Sequence, residues 1–229
     1  MLTILLVLSI LACIALPGIW VKRILRRYSE PNDRYLDRGS GAELARHLLD
    51  SFDLQHVTVE LSPAGDHYDP EQKAVRLLED RYNGHSLTAI TVAAHEVGHA
   101  LQDARNERLF RNRQHLAVLA GRAQQLGSLI MLTAPVVMLI SRSPGLGLVF
   151  FAIAIGSMLI GTLVHLITLP VEIDASFSKA LPILESGNYL HDGDLPHAHR
   201  ILKAAAMTYV AASLASLLNI GRWIAVLRR

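Results

Sequence analysis

The sequence predicts a mainly α-helical integral membrane protein, with three to four transmembrane helices and a cytoplasmic helical region that contains a small β-hairpin. Of its 229 residues, 51% are hydrophobic and only 18% are charged, and the mean hydropathy is +0.31. Soluble domains usually contain about 25% charged residues. The charge is also segregated, because residues 22–125 hold 15 of the 22 Lys and Arg and 15 of the 20 Asp and Glu. These patterns argue against a uniformly soluble or a disordered chain.

Uncharged stretches of sufficient length are candidate membrane spans. Residues 1–21 precede a basic cluster and are typical of a retained N-terminal transmembrane anchor rather than a cleaved signal peptide. Residues 123–171 contain two stretches separated by the turn composition Ser-Arg-Ser-Pro-Gly at 141–145, which predicts a transmembrane hairpin. The C-terminal hydrophobic helix over 204–229 has an uncharged part at 204–221 that either spans or packs against the other helices.

The basic residues predict the orientation in the membrane. Clusters at 22–27 and 105–113 flank the first and second stretches on the same side, which the excess of Lys and Arg assigns to the cytoplasm. We therefore expect a multi-pass protein of the cell membrane, with residues 22–122 and 172–203 on the cytoplasmic side.

Charge and cysteine content exclude other classes of protein. The net charge of +2 is small and the basic residues are mixed with acidic ones, so no nucleic-acid partner is expected. The single cysteine, Cys13, excludes an intramolecular disulfide and a thiolate metal cluster. The lipid bilayer is the expected partner, and nothing in the sequence indicates an oligomeric state.

Within residues 22–122 the pattern predicts short elements before the longest soluble helix. Gly39 to Ser51 has helical spacing with Ser40 as its N-cap. Residues 56–61 and 73–77 are predicted strands of one hairpin, and one of these strands is expected to offer an edge for an extended substrate. His67 and Tyr68 fall in the connection and are expected to face solvent.

The next helix carries the motif His95-Glu96-Val97-Gly98-His99. Ser86 is its predicted N-cap, and the helix is expected to end near residue 105. Residues four apart lie on the same face of a helix, so both imidazoles can bind one Zn²⁺. Glu96 beside the first ligand is placed to take a proton from the attacking water. Two ordinary surface histidines are the alternative, but the uncharged neighbours of Glu96 argue against it.

A catalytic zinc usually has three protein ligands and a water, so one ligand remains to be found. Glu172 and Asp174 are preferred because they directly follow the third apolar stretch, on the same side of the membrane as the motif. His165 lies inside that stretch and is more typical of a hydrogen-bonded helix residue. The other candidates are His191, His197, His199 and Glu185.

Four segments together resemble the membrane-bound neutral zinc metallopeptidases of the YugP type. The segments are Asp66 to Pro70, Ala93 to Gln102, Pro170 to Ser176 and Ala205 to Ala212. They occur in the same order as in that family, so the resemblance covers nearly the whole chain. It implies a zincin-like region that hydrolyses peptide bonds, but it names no substrate.

By this resemblance His95 and His99 are zinc ligands, Glu96 is the catalytic acid and base, and Glu172 is the third ligand. Related membrane zincins carry an Asp four residues after this Glu, where the present chain has Ser176. We therefore expect either Asp174 or Ser176 to accept the other ring N–H of a ligand imidazole.

The sequence thus predicts a membrane-embedded zinc metalloendopeptidase with one Zn²⁺ per chain, an active site that faces the cytoplasm, and a peptide or a membrane protein as substrate. A non-catalytic protein with a structural zinc and a metal-handling membrane protein are the alternatives. The oxyanion donor is not identified, and its candidates are Tyr209, His197 and Arg200.

Overall fold

A computed structural model of the protein describes residues 2–141, 144–208 and 210–211. The fold is mainly helical and contains one three-stranded sheet. In chain order, the elements are α1 (Leu2–Arg27), α2 (Gly41–Ser51), β1 (Thr58–Leu61), β2 (His67–Asp69), β3 (Ala74–Leu77), α3 (Glu79–Tyr82), α4 (Leu87–Ala104), α5 (Arg108–Ser141), α6 (Pro144–Ile173), a π-helix (Asp174–Ala180), α7 (Leu181–Ser186) and α8 over residues 195–208.

The chain forms two compact units. The first consists of Met1–Gly18, Asn112–Leu169 and Tyr209–Arg229, and the second consists of Ile19–Arg111 and Pro170–Thr208. The sheet and the motif His95-Glu96-Val97-Gly98-His99 belong to the second unit. Most of the predicted C-terminal helix over 204–229 lies outside the described residues.

The prediction of three to four transmembrane helices was wrong. Within the described residues, no helix is both long and apolar enough to cross a membrane. The prediction counted uncharged residues, and an uncharged stretch is not necessarily an apolar one. The stretch that forms much of α5 includes Gln124, Gln125 and Ser128, whose polar groups cost free energy when they are transferred out of water.

The central element of the second unit is α4, in which every residue from Leu87 to Gln102 is buried. The Oγ of Ser86 accepts a hydrogen bond from the Ala89 amide, which confirms the predicted N-cap. The aliphatic face of α2 packs in the same core. The apolar residues buried there include Leu44, Leu48, Leu49, Val57, Val75, Leu77, Ile90 and Val97.

The predicted cap of α2 is also confirmed. The Ser40 hydroxyl accepts from the Glu43 amide at 3.3 Å, and the Glu43 carboxylate accepts from the Ser40 amide at 2.7 Å. This reciprocal pair is a capping box, which satisfies two amides that the first turn of a helix leaves without partners.

The predicted hairpin of residues 56–61 and 73–77 is not formed. β1 and β3 run parallel, and β2 pairs antiparallel with the other side of β3. The connection forms a strand of its own and takes the antiparallel position, so β1 joins β3 after a crossover. Since β3 is paired on both sides, only β1 and β2 have an open edge among the described residues.

Tyr68 was expected to face solvent, and that expectation was wrong. It is the central residue of β2 and is buried. Its hydroxyl donates to Asp103 of α4 at 2.7 Å, and Lys73 donates to the same carboxylate at 2.6 Å. A buried phenol needs a hydrogen-bond acceptor, and α4 provides one.

A buried carboxylate joins the segment after α1 to the start of α8. Asp194 accepts two hydrogen bonds from the Arg34 guanidinium, both at 2.8 Å, and one from the Tyr35 hydroxyl at 2.6 Å. Burial raises the pKa of Asp194, but the hydrogen bonds from Tyr35, Arg34 and His197 lower it by more, so the pKa lies below its ordinary value. The ionised carboxylate therefore stabilises the fold.

We expect Asp194→Asn to lower the free energy of unfolding by about 2 kcal/mol at pH 7, because it removes the charge that Arg34 and Tyr35 contact. A carboxyl group whose pKa is lowered by folding stabilises above its unfolded pKa, and that contribution is lost as the pH falls through the folded value. The difference between wild type and variant should therefore shrink below about pH 4. Urea denaturation at pH 7 and pH 3 measures both effects.

Asp192→Asn is the matched control, because Asp192 is exposed and two residues away. Equal stability of Asp194→Asn and the control at pH 7 would contradict the role given to this carboxylate.

Candidate metal centre

Helix α4 presents the two motif histidines on one face. The ring centroids of His95 and His99 are 4.8 Å apart and their planes are inclined by 76°. The two histidines and Glu96 are buried, with exposed fractions of 4%, 5% and 5%. One turn of α4 therefore holds two imidazoles and a carboxyl group away from bulk water.

Glu172, near the end of α6, meets these imidazoles. Its Oε2 lies 3.3 Å from Nε2 of His95 and 3.2 Å from Nε2 of His99, and the side chain is 1% exposed. The candidate ligand atoms of the three residues all lie within 4.8 Å of one another. This group is the candidate metal centre.

Glycine 98 allows the two segments to come this close. A Cβ atom at position 98 would lie 2.8 Å from the carbonyl oxygen of Ala175, which is closer than real Cβ atoms approach. Ala175 belongs to the π-helix that begins two residues after Glu172. The missing side chain of Gly98 thus lets α4 pack directly on the backbone that follows the third candidate ligand.

The wide turns of the π-helix place Ser176 against the first imidazole. Its Oγ lies 3.1 Å from Nδ1 of His95 and 3.4 Å from the carbonyl oxygen of Leu202. Since the serine proton is directed to that carbonyl, its Oγ can accept the N–H of His95. The hydrogen bond fixes the imidazole and leaves Nε2 as an acceptor. Single π-helical turns are frequently found at functional sites.

Gln102 fixes the imidazole of His99 in the same way, by accepting a hydrogen bond from its Nδ1. Its amide nitrogen donates to the Val171 carbonyl at 2.9 Å and to Asp174 Oδ2 at 2.8 Å. These two acceptors determine the orientation of the amide, so its oxygen faces Nδ1 of His99 at 2.9 Å. Nδ1 therefore carries the ring proton, and Nε2 faces the carboxylate of Glu172 with a lone pair.

The arrangement of donors suits a divalent cation. Two imidazole lone pairs and a carboxylate oxygen converge, and all three are acceptors that attract positive charge between them. Burial raises the pKa of Glu172, and protons on Nε2 of His99 and His95, which would stand in for the positive charge of a cation, lower it by more. Positive charge between the three groups therefore keeps the carboxyl group ionised. Two His and one Glu, with a further position left for water, form a donor set typical of catalytic zinc.

Asp174, the other preferred candidate, contacts no imidazole. It accepts hydrogen bonds from Gln102 and from Lys179, a buried lysine that also lies 3.0 Å from Glu107. Burial raises the pKa of Asp174, and the bonds from Lys179 and Gln102 lower it below its usual value. Asp174 therefore acts on His99 only through Gln102, while Ser176 contacts His95 directly.

The remaining candidates lie elsewhere in the second unit. His191 contacts Asp37 at 3.0 Å and His197 contacts Asp194 at 3.5 Å. The ring of His199 packs 4.9 Å from Phe177. Among the described residues, only His95, His99 and Glu172 form a group able to hold a metal ion.

Tyr209 and Arg200 are two of the candidate oxyanion donors, and His165 is the histidine within α6. Tyr209 lies outside the described residues, as does the side chain of His165. Arg200 donates to the Tyr28 hydroxyl at 3.4 Å. No oxyanion donor is assigned.

Sequence reasoning missed Gln102, Lys179 and the packing role of Gly98. One signal was available for Gln102, because it lies three residues after His99 and therefore on the same face of the helix. The ion pair of Lys179 with Glu107 and the contact at Gly98 join segments that are distant in the chain, and no local pattern predicts them.

Comparison with known proteins agrees with this geometry. Residues 3–228 match the model of a family described as "Putative neutral zinc metallopeptidase". The chain belongs to this metallopeptidase family. A relative from Bacillus subtilis (strain 168), named "Putative membrane protease YugP", is 37% identical over 189 residues, which cover 82% of this chain and 80% of the relative. No solved structure matches the chain.

Membership of the neutral zinc metallopeptidases and the convergence of His95, His99 and Glu172 both support zinc as the metal. The first two residues come from one helix and the third comes from a distant segment, so the geometry of the metallopeptidase centre depends on how α4 packs on the π-helix.

We expect Gly98→Ala to weaken zinc binding at least tenfold and to destabilise the fold by about 1–3 kcal/mol, because the new methyl group meets a backbone oxygen that no side-chain rotation can move. Competition with a chelator of known affinity measures zinc binding. Gly121→Ala is the control, since a Cβ there has no neighbour within 4 Å. If Gly98→Ala bound zinc as wild type does, the packing role of Gly98 would be disproved.

We also expect Ser176→Ala and Gln102→Leu each to weaken zinc binding about 10- to 100-fold, because each leaves the ring N–H of one imidazole without its acceptor. The same chelator competition measures this effect, and circular dichroism verifies that both variants fold. Ser51→Ala is the control, because that hydroxyl is exposed and bonds only the His47 carbonyl. Unchanged affinity in both variants would rule out these positioning roles.

Proposed function

We propose that the protein is a zinc-dependent endopeptidase, with one zinc ion held by His95, His99 and Glu172 and with Glu96 as general base and acid. The observation that carries the proposal is the convergence of acceptor atoms from His95, His99 and Glu172. The buried Glu96 lies between the two histidines on α4. Membership of the metallopeptidase family supports the same reaction.

A zinc ion at this position would polarise the scissile carbonyl and lower the pKa of a coordinated water to about 7. Glu96 is adjacent to His95 and belongs to the same turn of α4 as the two histidines. It takes the proton of the attacking water and passes it to the departing amine, acting first as base and then as acid. Ser176 and Gln102 keep both imidazoles in the tautomer that presents Nε2 to the cation.

A structural zinc site is the second candidate, and the burial of the group favours it. All three candidate ligands are at most 5% exposed. Structural zinc sites, however, almost always have four protein ligands, whereas the described residues supply three. The missing fourth ligand favours a catalytic centre, which needs an open position for water.

We further propose that the protein acts at the cytoplasmic face of the cell membrane on peptides or membrane proteins. Support comes from the name of the Bacillus subtilis relative, "Putative membrane protease YugP". The basic clusters at residues 22–27 and 105–113 add to it, because the negatively charged cytoplasmic surface of a membrane attracts such clusters.

Glu96→Gln tests the reaction. We expect this variant to bind zinc as wild type does but to lose about 10²- to 10⁴-fold in the rate of peptide cleavage, because the amide cannot accept the proton of the attacking water. Metal analysis and cleavage of casein by detergent-purified protein measure the two properties separately.

Glu185→Gln is the matched control, since it makes the same chemical change at an exposed position of the second unit. A preparation of wild type that binds zinc but cleaves no peptide bond, or equal cleavage by wild type and Glu96→Gln, would reject the catalytic assignment.

A further inference from the structure

The cations of the second unit fall into two classes. Most of those in its body form ion pairs with carboxylates at 3.4 Å or less. These paired residues are Arg34, Arg38, Arg46, Lys73, Arg76, Arg81 and Lys179. By contrast, Lys22, Arg23, Arg26 and Arg27 at the end of α1 are exposed, and none of them forms an ion pair with a described residue. We call these four residues the α1 cationic face.

The first 29 residues of the chain contain these four cations and no Asp or Glu. Four positive charges thus lie within about two turns of helix, and no described carboxylate forms an ion pair with any of them. Exposed charges that repel one another are unfavourable unless an external anion balances them. The α1 cationic face is therefore a cluster of exposed charges that an external anion would balance.

The opposite face of α1 anchors it to the core. Val21 is buried, and Ile24, Leu25 and Tyr28 pack against the hydrophobic core. These residues recur at a spacing of three and four, so they form one stripe of the helix. The Thr88 hydroxyl donates to the Leu25 carbonyl at 2.9 Å and its amide donates to the Tyr28 carbonyl at 3.1 Å. The outer face is thus held in a defined orientation.

Apolar side chains share the outer face with the cations. Ile19 is 58% exposed and Trp20 is 40% exposed. On a helix with about 100° between residues, positions 19, 20, 23, 26 and 27 lie within one arc. An indole and an aliphatic side chain next to Lys and Arg are typical of a surface that enters the interface between headgroups and acyl chains.

We propose that the α1 cationic face, with Ile19 and Trp20, binds the anionic phospholipid headgroups of a membrane surface. The guanidinium groups of Arg23, Arg26 and Arg27 match phosphate oxygens, and the two apolar side chains enter the layer below them. A nucleic acid would use the same charges, but it offers no apolar layer to the aliphatic side chain of Ile19. This inference rests on the proposed membrane setting and adds the lipid class that the protein recognises.

The test uses the full chain with Trp223→Phe, which leaves Trp20 as the only tryptophan. Vesicles of phosphatidylcholine alone are compared with vesicles that also contain phosphatidylglycerol, and binding is measured by flotation. We expect stronger binding to the anionic vesicles, weakened by salt, and quenching of Trp20 fluorescence by brominated acyl chains. Arg26→Gln with Arg27→Gln should weaken anionic binding by about 25-fold, at roughly fivefold for each cation removed.

Arg38→Gln with Lys203→Gln is the control, because it removes the same charge from other exposed positions of the second unit. The inference is overturned if both double variants bind alike, if phosphatidylcholine and anionic vesicles bind wild type equally, or if Arg26 and Arg27 are needed for binding single-stranded RNA and not for binding vesicles. None of these readouts requires peptide cleavage, so the lipid inference and the proposed peptidase activity can fail independently.

Discussion

At Gly98 the backbone of the π-helix approaches α4 so closely that a single methyl group would not fit. This contact has a direct consequence for chemistry, because the π-helix follows Glu172 immediately. If the two segments were held apart by a side chain, the carboxylate would not reach the imidazoles at 3.2 and 3.3 Å. The shape of the candidate centre therefore depends on a residue that has no functional group.

Hydrogen bonds then orient the two imidazoles that this close packing brings next to Glu172. Gln102 contacts His99 with its oxygen, and with its nitrogen it contacts the residues on either side of Glu172, namely Val171 and Asp174. One amide thus ties a candidate ligand on α4 to the segment that bears another. Ser176 makes a similar connection between His95 and the Leu202 carbonyl of α8. Lys179 forms ion pairs with Glu107 and with Asp174, the residue that accepts from Gln102.

Local patterns in the sequence correctly predicted the features that depend only on residues close together in the chain. The N-caps at Ser40 and Ser86 depend on atoms three residues away, and the common face of His95 and His99 depends on helix geometry alone. The parallel pairing of β1 with β3 and the burial of Tyr68 depend on which segments meet in three dimensions, and the sequence predicted neither. The predicted span within α5 was based on a lack of charge, although Gln125 and Ser128 lie in that stretch. Glu172 was preferred from its place in the chain, whereas the roles of Gln102 and Lys179 required the fold.

His99 and Glu172 are separated by 73 residues, and that interval includes the whole segment Asn112–Leu169 of the first unit. Holding its two ends together costs conformational entropy, but this cost rises only by about 0.6 kcal/mol for each doubling of the length of a flexible loop. The contacts of Gln102 with Val171 and Asp174 lie at the closing point of the loop. A change in the length of Asn112–Leu169 would alter the connection between the two ends but none of the contacts that hold them together, because His99, Gln102, Val171, Glu172 and Asp174 all lie outside it.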